Sequence, residues 1–155
     1  MKKVMFISST GGHLNELLQL KPLFEEYDTM IVTEDTKSNR KLEQQYQKVR
    51  YLLFGSKSHL LAYCFKFPAN IILSFKIFLS FKPDFVVSTG AHTAVPMCYI
   101  AKLFGKKVIY LETYANLHSR SLSGRLVYPI ADLFLVQWES MLEFYPRAKF
   151  VGGVY

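Results

Sequence analysis

Acidic side chains are few in this chain, 12 against 19 Lys and Arg over 155 residues, and from residue 57 to residue 82 there are none. The resulting formal net charge of +7 suits phosphate-bearing ligands, nucleic acid or an anionic lipid surface without choosing among them. Cysteine is nearly absent. Cys64 and Cys98 stand far apart in apolar stretches, and neither has a second cysteine or a histidine at metal-ligand spacing. That pattern excludes a disulfide framework and gives a metal site no support, and it fits buried free thiols in a reducing cytoplasm. Internal repeats and low-complexity tracts are missing, and no nucleic-acid recognition module accompanies the basic charge. The apolar run behind Lys2 and Lys3 is short and ends in Ser, Thr and Gly, so it reads as a first strand and not as a signal peptide.

What the chain does have is apolar and aromatic bulk: 50% hydrophobic and 15% aromatic, with 13 Phe and 10 Tyr. One domain over residues 1–155 is long enough to bury a real core, and the excess needs a partner surface or a membrane. Strand patterns fall at residues 3–8, 29–33, 49–54, 84–88, 107–111, 133–136 and 150–151. Helix patterns lie between them at 13–27, 37–47, 59–81, 94–104, 123–130 and 140–145. Continuous apolar runs such as Phe85-Val86-Val87 and Val108-Ile109-Tyr110 suit parallel strands covered on both faces. The alternation predicts an α/β fold, a Rossmann-like, doubly wound, mostly parallel sheet. In the first helix Leu14, Leu17, Leu18, Leu20 and Phe24 supply the apolar stripe, with Asn15, Glu16 and Gln19 expected to face out. The charged stretch 34–50 reads as an exposed helix of mixed-sign pairs with no assigned function.

Residues 57–82 combine Lys57, Lys66, Lys76 and Lys82 with dense apolar filling. Lys66, Pro68 and Lys76 argue against a spanning helix, which needs about 20 mostly apolar residues. A helical wheel gives one arc of Ile71, Ile72, Phe75, Phe78 and Leu79 and a second of Leu73, Ile77 and Phe81. One arc can cover the sheet; the other is left over. Lys66, Ile72, Phe75, Lys76, Phe78 and Leu79 are therefore the candidates for membrane or partner contact, against a thick core helix with snorkelling lysines.

The first strand breaks into Ser8-Ser9-Thr10-Gly11-Gly12-His13 just before a helix. With strand order 3-2-1-4-5-6, the loop after the fourth strand is its neighbour: Ser88-Thr89-Gly90-Ala91-His92-Thr93-Ala94. The loop after the fifth strand adds Glu112. Three loops thus converge His13, His92 and Glu112 on one crevice. A neutral imidazole can take a hydroxyl proton near neutral pH, a carboxylate can orient it, and glycine-turn amides can hold phosphate oxygens. Thr10, Gly11, Gly12, Gly90, Ala91 and Thr93 are the candidates for that cradle, and Arg120 and Arg125 for a diphosphate. A solvated basic loop is the competing account of the two arginines, and Trp138 and Glu139 can simply pack against a neighbouring loop. The glycines of the first turn are adjacent and do not form G-x-G-x-x-G, which leaves a dinucleotide-binding domain as the weakest reading.

The turn STGGH, the loop STGAHTAVP, the segment YLET followed by Tyr114 and Ala115, and the run SGRLVYPIADLFLVQW together resemble the amino-terminal half of GT-B glycosyltransferases. The peptidoglycan N-acetylglucosaminyltransferase that makes lipid II is one likeness. A closer one is the ALG-fourteen-like family, the acceptor-side subunits of split glycosyltransferases, including bacterial capsule and exopolysaccharide types. The resemblance implies a cytoplasmic protein, peripheral on the inner face of the cell membrane, that binds a sugar on undecaprenyl diphosphate. It implies a partner resembling a GT-B carboxyl-terminal domain that holds the UDP-sugar, with no cofactor held tightly by this chain and little activity alone. Gly11, Gly12 and His13 would lie at the acceptor diphosphate and hydroxyl, Gly90, Ala91 and His92 in the second glycine loop, and Glu112 in the third. The end of the chain, residues 151–155, resembles the crossover into the second domain of an undivided enzyme. The first loop is one glycine short of the lipid II enzyme's pattern, and His92 stands where an aromatic is usual there. The amino-terminal membrane helix of the eukaryotic subunit is missing, so attachment is expected through residues 57–82. The alternative is a non-catalytic membrane scaffold that recruits and stabilises the glycosyltransferase.

Overall fold

The computed structural model describes residues 1–55 and 60–154. Lys57, the His59 start of the long helix and the terminal Tyr155 lie outside the described residues. Seven strands, β1 (Lys3–Ser8), β2 (Asp28–Glu34), β3 (Val49–Leu52), β4 (Phe85–Gly90), β5 (Lys107–Leu111), β6 (Leu133–Val136) and β7 (Lys149–Phe150), form one sheet in the order β3-β2-β1-β4-β5-β6-β7. Every pairing is parallel. The order reverses beside β1, whose Met5 pairs with Met30 on one side and Val86 on the other. That is the switch point at which open α/β sheets place their ligand crevice.

Side chains alternate across the sheet and feed two cores. Val4, Phe6, Ile31 and Val87 pack under α1 (Gly12–Leu18) and α2 (Lys21–Phe24), through Leu14, Leu17 and Phe24. Met5, Ile7, Val86 and Val108 pack on the other face with α3 (Leu60–Phe81), α4 (Val95–Leu103) and α5 (Leu122–Val127). The helix expected over 13–27 is thus two helices. Pro22 sits in the first turn of α2, and a proline lacks its N–H and crowds the carbonyl four residues back, here Leu18, where α1 stops. Asn39–Gln44 and Glu139–Glu143 form 3₁₀ turns in place of the expected α-helices. β3 stops short of Phe54 because Asn70 closes its end: the Leu53 N–H donates to Asn70 Oδ1 at 2.7 Å, and Asn70 Nδ2 donates to the Leu53 carbonyl at 2.9 Å.

α3 decides which of the two apolar arcs is spare. Ile77 and Phe81, with Asn70 and Ser74, face the core, while Ile71, Ile72, Phe75 and Leu79 are exposed. Phe78 corrects the expectation of a contact residue: it is 2% exposed and packs in the core, its ring 5.1 Å from Phe104. Lys66 is half-buried and Lys76 exposed. Within α3 the most exposed apolar side chains are at its start, Leu61 at 82% and Phe65 at 79%. The 22-residue helix has the length and composition of a membrane-crossing segment, yet Phe78 and Phe81 commit it to the sheet. Cys64 is exposed on this helix, against the expected burial; Cys98 is buried, and burial pushes its thiol up to about 12.

Candidate active site

The turn after β1 passes through Gly11 at φ +77°, a left-handed conformation that costs a glycine little. His13 follows in the first turn of α1 and is docked on the end of β4. Its Nδ1 lies 2.8 Å from the Thr89 carbonyl, and the Thr89 hydroxyl donates to the His13 carbonyl at 2.6 Å. A carbonyl only accepts, so Nδ1 carries a proton, and in the neutral imidazole the lone pair is then on Nε2, the tautomer a general base requires. Gly90, at φ +91°, permits this approach. A Cβ there would stand 2.8 Å from the Tyr110 hydroxyl and 3.3 Å from His13 Nδ1.

His13, Ala91, His92, Thr113, Asn116 and Arg120 line an open cleft of about 420 Å³ at the carboxyl edge of the sheet. His92 meets the ring of Tyr63 from α3 edge-on at 5.4 Å, and the Arg120 guanidinium lies 5.4 Å from the centre of the Tyr145 ring. Of the expected site residues, the structure therefore brings together His13, Ala91, His92 and Arg120. Arg125 is exposed on α5 and does not line the cleft. The phosphate cradle is narrower than expected. The amides of Thr10, Gly90 and Ala91 are already bonded to Glu34, Ser88 and Ser9, and the Thr93 hydroxyl is bonded to Glu34. The Gly11–Gly12 turn is exposed, with open space around both α-carbons.

Glu112 lies beneath the cleft wall and not in it. It is 1% exposed and accepts from the Thr113 N–H at 3.0 Å, the Ser121 N–H at 3.3 Å, the Ser121 hydroxyl at 2.7 Å and the Tyr145 hydroxyl at 2.6 Å. Burial and the bond to this carboxylate push the Tyr145 phenol's pKa upward. Glu112 so arranged fastens the 113–121 loop to the start of α5, where Ser121 is the N-cap; it positions the wall. Trp138 packs its ring at a tilt against Tyr114, 4.6 Å between centres, and donates to its carbonyl at 2.7 Å, bracing the same loop from the end of β6.

Two carboxylates escaped sequence reasoning. Glu16, expected to face solvent, is buried and accepts from the Tyr114 N–H at 2.7 Å and the Thr113 hydroxyl at 3.1 Å through Oε1. Burial raises its pKa against those bonds. Its spacing of three from His13 puts both on one helix face, which was the available signal. Glu34, expected in an exposed charged helix, is the buried last residue of β2. Among the described residues no group of three His, Cys, Asp or Glu stands close enough to hold a metal ion.

The seven-stranded parallel sheet with its cleft at the switch point has the fold of the amino-terminal half of GT-B proteins. MurG of Acinetobacter baumannii superposes with a TM-score of 0.79 at 21% identity, covering 99% of this chain and 46% of that one. Staphylococcus aureus MnaA, solved with UDP, gives 0.77 at 16%, again over 99% and 46%. At such identities the likeness is one of fold, and the chain spans less than half the length of either. The family model described as "Oligosaccharide biosynthesis protein Alg14 like" matches residues 4–154, and the chain belongs to that family. It is similar to the UDP-N-acetylglucosamine transferase subunit ALG14 of Rattus norvegicus, 27% identical over 178 residues, 97% of this chain and 82% of that protein. The ALG14 subunit of Yarrowia lipolytica is 30% identical over 176 residues, 97% and 80% of the two chains.

Proposed function

We propose that this chain is the acceptor-binding, membrane-associating subunit of a two-component glycosyltransferase. Membership of the Alg14-like family supports the coarse reading, a glycosyltransferase subunit. The observation that carries the finer one is the neighbourhood of the cleft: α3 begins beside it, with Tyr63 on His92 and Leu61 and Phe65 exposed nearby in the chain. A lipid-tailed acceptor can leave its tail at that apolar, lysine-flanked surface while its diphosphate and sugar reach the cleft. Arg120 at the rim offers the diphosphate a cation, and the exposed Gly11–Gly12 turn leaves room for it.

In the transfer, the acceptor hydroxyl gives its proton to His13 Nε2 as its oxygen bonds to the donor's anomeric carbon. The bond to the UDP oxygen breaks with inversion, and the imidazolium releases the proton to water. His92 orients the acceptor sugar. A separate small subunit resembling a GT-B carboxyl-terminal domain holds the UDP-sugar, and this chain keeps no tightly bound cofactor. The acceptor is a sugar on undecaprenyl diphosphate at the cytoplasmic face of the membrane, in capsule or exopolysaccharide synthesis; nucleic acid has no part in it.

The test mixes the chain, its partner, UDP-sugars and acceptors on undecaprenyl or dolichyl diphosphate. Transfer only with both proteins is expected; full turnover by this chain alone would overturn the two-subunit reading, and preference for the dolichyl carrier would overturn the assigned lipid. The interior position of Glu112 favours a second reading, a scaffold that only recruits the catalytic protein. Under it, His13→Ala and His92→Ala would leave the activity of the complex unchanged.

A further inference from the structure

Glu34 has no role in the reaction as written, yet it is 2% exposed and forms no ion pair among the described residues. A carboxylate taken out of water needs donors to replace its hydration. Those it finds come from the two turns that carry the cleft's histidines. Oε2 accepts the Thr10 N–H at 2.9 Å, three residues before His13, and Oε1 accepts the Thr93 hydroxyl at 2.6 Å, one residue after His92.

The chain of bonds continues in a determined direction. The Thr93 proton is committed to Glu34, so across the 2.9 Å contact the Ser9 hydroxyl must donate to Thr93 Oγ1. Ser9 Oγ then accepts the Ala91 N–H at 3.0 Å, while the Ser9 N–H donates to the Gly90 carbonyl at 2.8 Å. Asn39 braces the carboxylate's own residue, its Nδ2 donating to the Glu34 carbonyl at 2.8 Å and to Thr10 Oγ1 at 3.2 Å. A residue on β2 thereby ties the turn after β1 to the turn after β4 through side chains rather than through the strand ladder.

We infer that Glu34 is a positioning residue of the acceptor site, setting the first glycine turn against the turn that bears His92 through the relay Thr10–Glu34–Thr93–Ser9–Ala91. The inference rests on the acceptor-site reading of the cleft for its consequence in catalysis, but not for the coupling itself. A glutamine at this position can still accept the Thr10 N–H and donate to Thr93 Oγ1. Thr93 would then donate to Ser9, leaving the Ser9 proton without an acceptor, so the geometry largely survives. An alanine removes both ends of the tie.

In the reconstituted complex, Glu34→Ala is expected to lower kcat/KM for the lipid-linked acceptor by about tenfold to a hundredfold, the order that ångström-scale misplacement costs. The KM for the UDP-sugar should not move, and Glu34→Gln should recover most of the loss. A fall in kcat that only follows the folded fraction, with the acceptor KM unchanged, would make Glu34 a stability residue and overturn the inference. Nitrogen-15 NMR of the chain supplies a readout independent of transfer. In Glu34→Ala the Thr10 and Ala91 amides and the His13 and His92 ring signals should shift while β5 and β6 stay fixed. In Glu34→Gln, which also serves if the alanine variant does not fold, the Thr10 and Ala91 amides, whose bonding the exchange alters, should shift while the two rings stay near their wild-type positions. Thr10 and Ala91 amides unmoved in Glu34→Gln refute the coupling. If the wild-type complex transfers nothing, the acceptor reading fails separately and the NMR result alone decides the coupling.

Discussion

Glu112 shows how one buried side chain can hold a loop. Its two oxygens are filled by donors from Thr113, Ser121 and Tyr145, so Glu112→Gln turns an amide toward groups that also donate. Leaving buried donors unmatched costs about 1–3 kcal/mol, to be read as a drop in the urea midpoint. Gly124 lies against the same cluster: an added Cβ would meet Glu112 Oε2, the Tyr145 hydroxyl at 2.5 Å and Ser121 Oγ at 2.8 Å. Gly124→Ala is expected to destabilise by about 1–3 kcal/mol. Combined with Glu112→Gln it should fall short of the sum, because the two share one network. In the proposed reaction the acceptor hydroxyl meets His13 at Nε2, because Nδ1 is bonded to the Thr89 carbonyl. His13→Gln in the complex should lower kcat by about 10²–10⁴-fold, the usual worth of a general base, while acceptor binding holds. A scaffold would show no change.

At the scale of the element, α3 presents two unlike faces, one packed in the core and one exposed. Phe78 sits in the core against Phe104, and Phe78→Ala should cost about 3–5 kcal/mol through the cavity it leaves. Phe65, 79% exposed, should change stability by less than about 0.5 kcal/mol when cut to alanine. Binding to anionic vesicles should show the reverse ranking. Phe65→Glu and Leu61→Glu are expected to abolish co-sedimentation without lowering the melting temperature, and unaffected sedimentation would remove α3 from the membrane account. The wheel alone gave two arcs of similar merit. Asn70 and Ser74, polar residues on the Ile77 side, concealed the inner face. Asn70 is there because it finishes the edge of β3, a partner 17 residues away in sequence.

For the molecule as a whole, acid stability should be set partly by Asp132, which ties α4 to the start of β5. Burial pushes its carboxyl up, but the Val108 N–H and the Lys102 and Lys107 ammoniums outweigh that and hold it at about 2, against an ordinary 3.8. A carboxyl depressed in the folded state contributes stability that is full above the unfolded value and disappears as pH falls through the folded one. The urea midpoint should therefore decline between pH 3.8 and about 2, and Asp132→Asn should flatten that part of the decline. Asp84, held low by the Lys3 N–H and by Lys106, acts with the same sign at the start of β4.

The sequence by itself determined the sheet and the place of the cleft. Unbroken apolar runs between turn signals suit strands covered on both faces, and the turns after the first and fourth strands then meet where the strand order reverses. His13 and His92 reached the cleft for that reason, and Arg120 reached it on the loop after β5. Only the tertiary structure decided the fate of Glu16, Glu34, Glu112 and Phe78. Periodicity assigns a residue to one side of its own element, and it says nothing of what another element brings to that side. A carboxylate reads as exposed until donors from two or three distant segments converge to replace its water, and that convergence is a property of the folded chain alone.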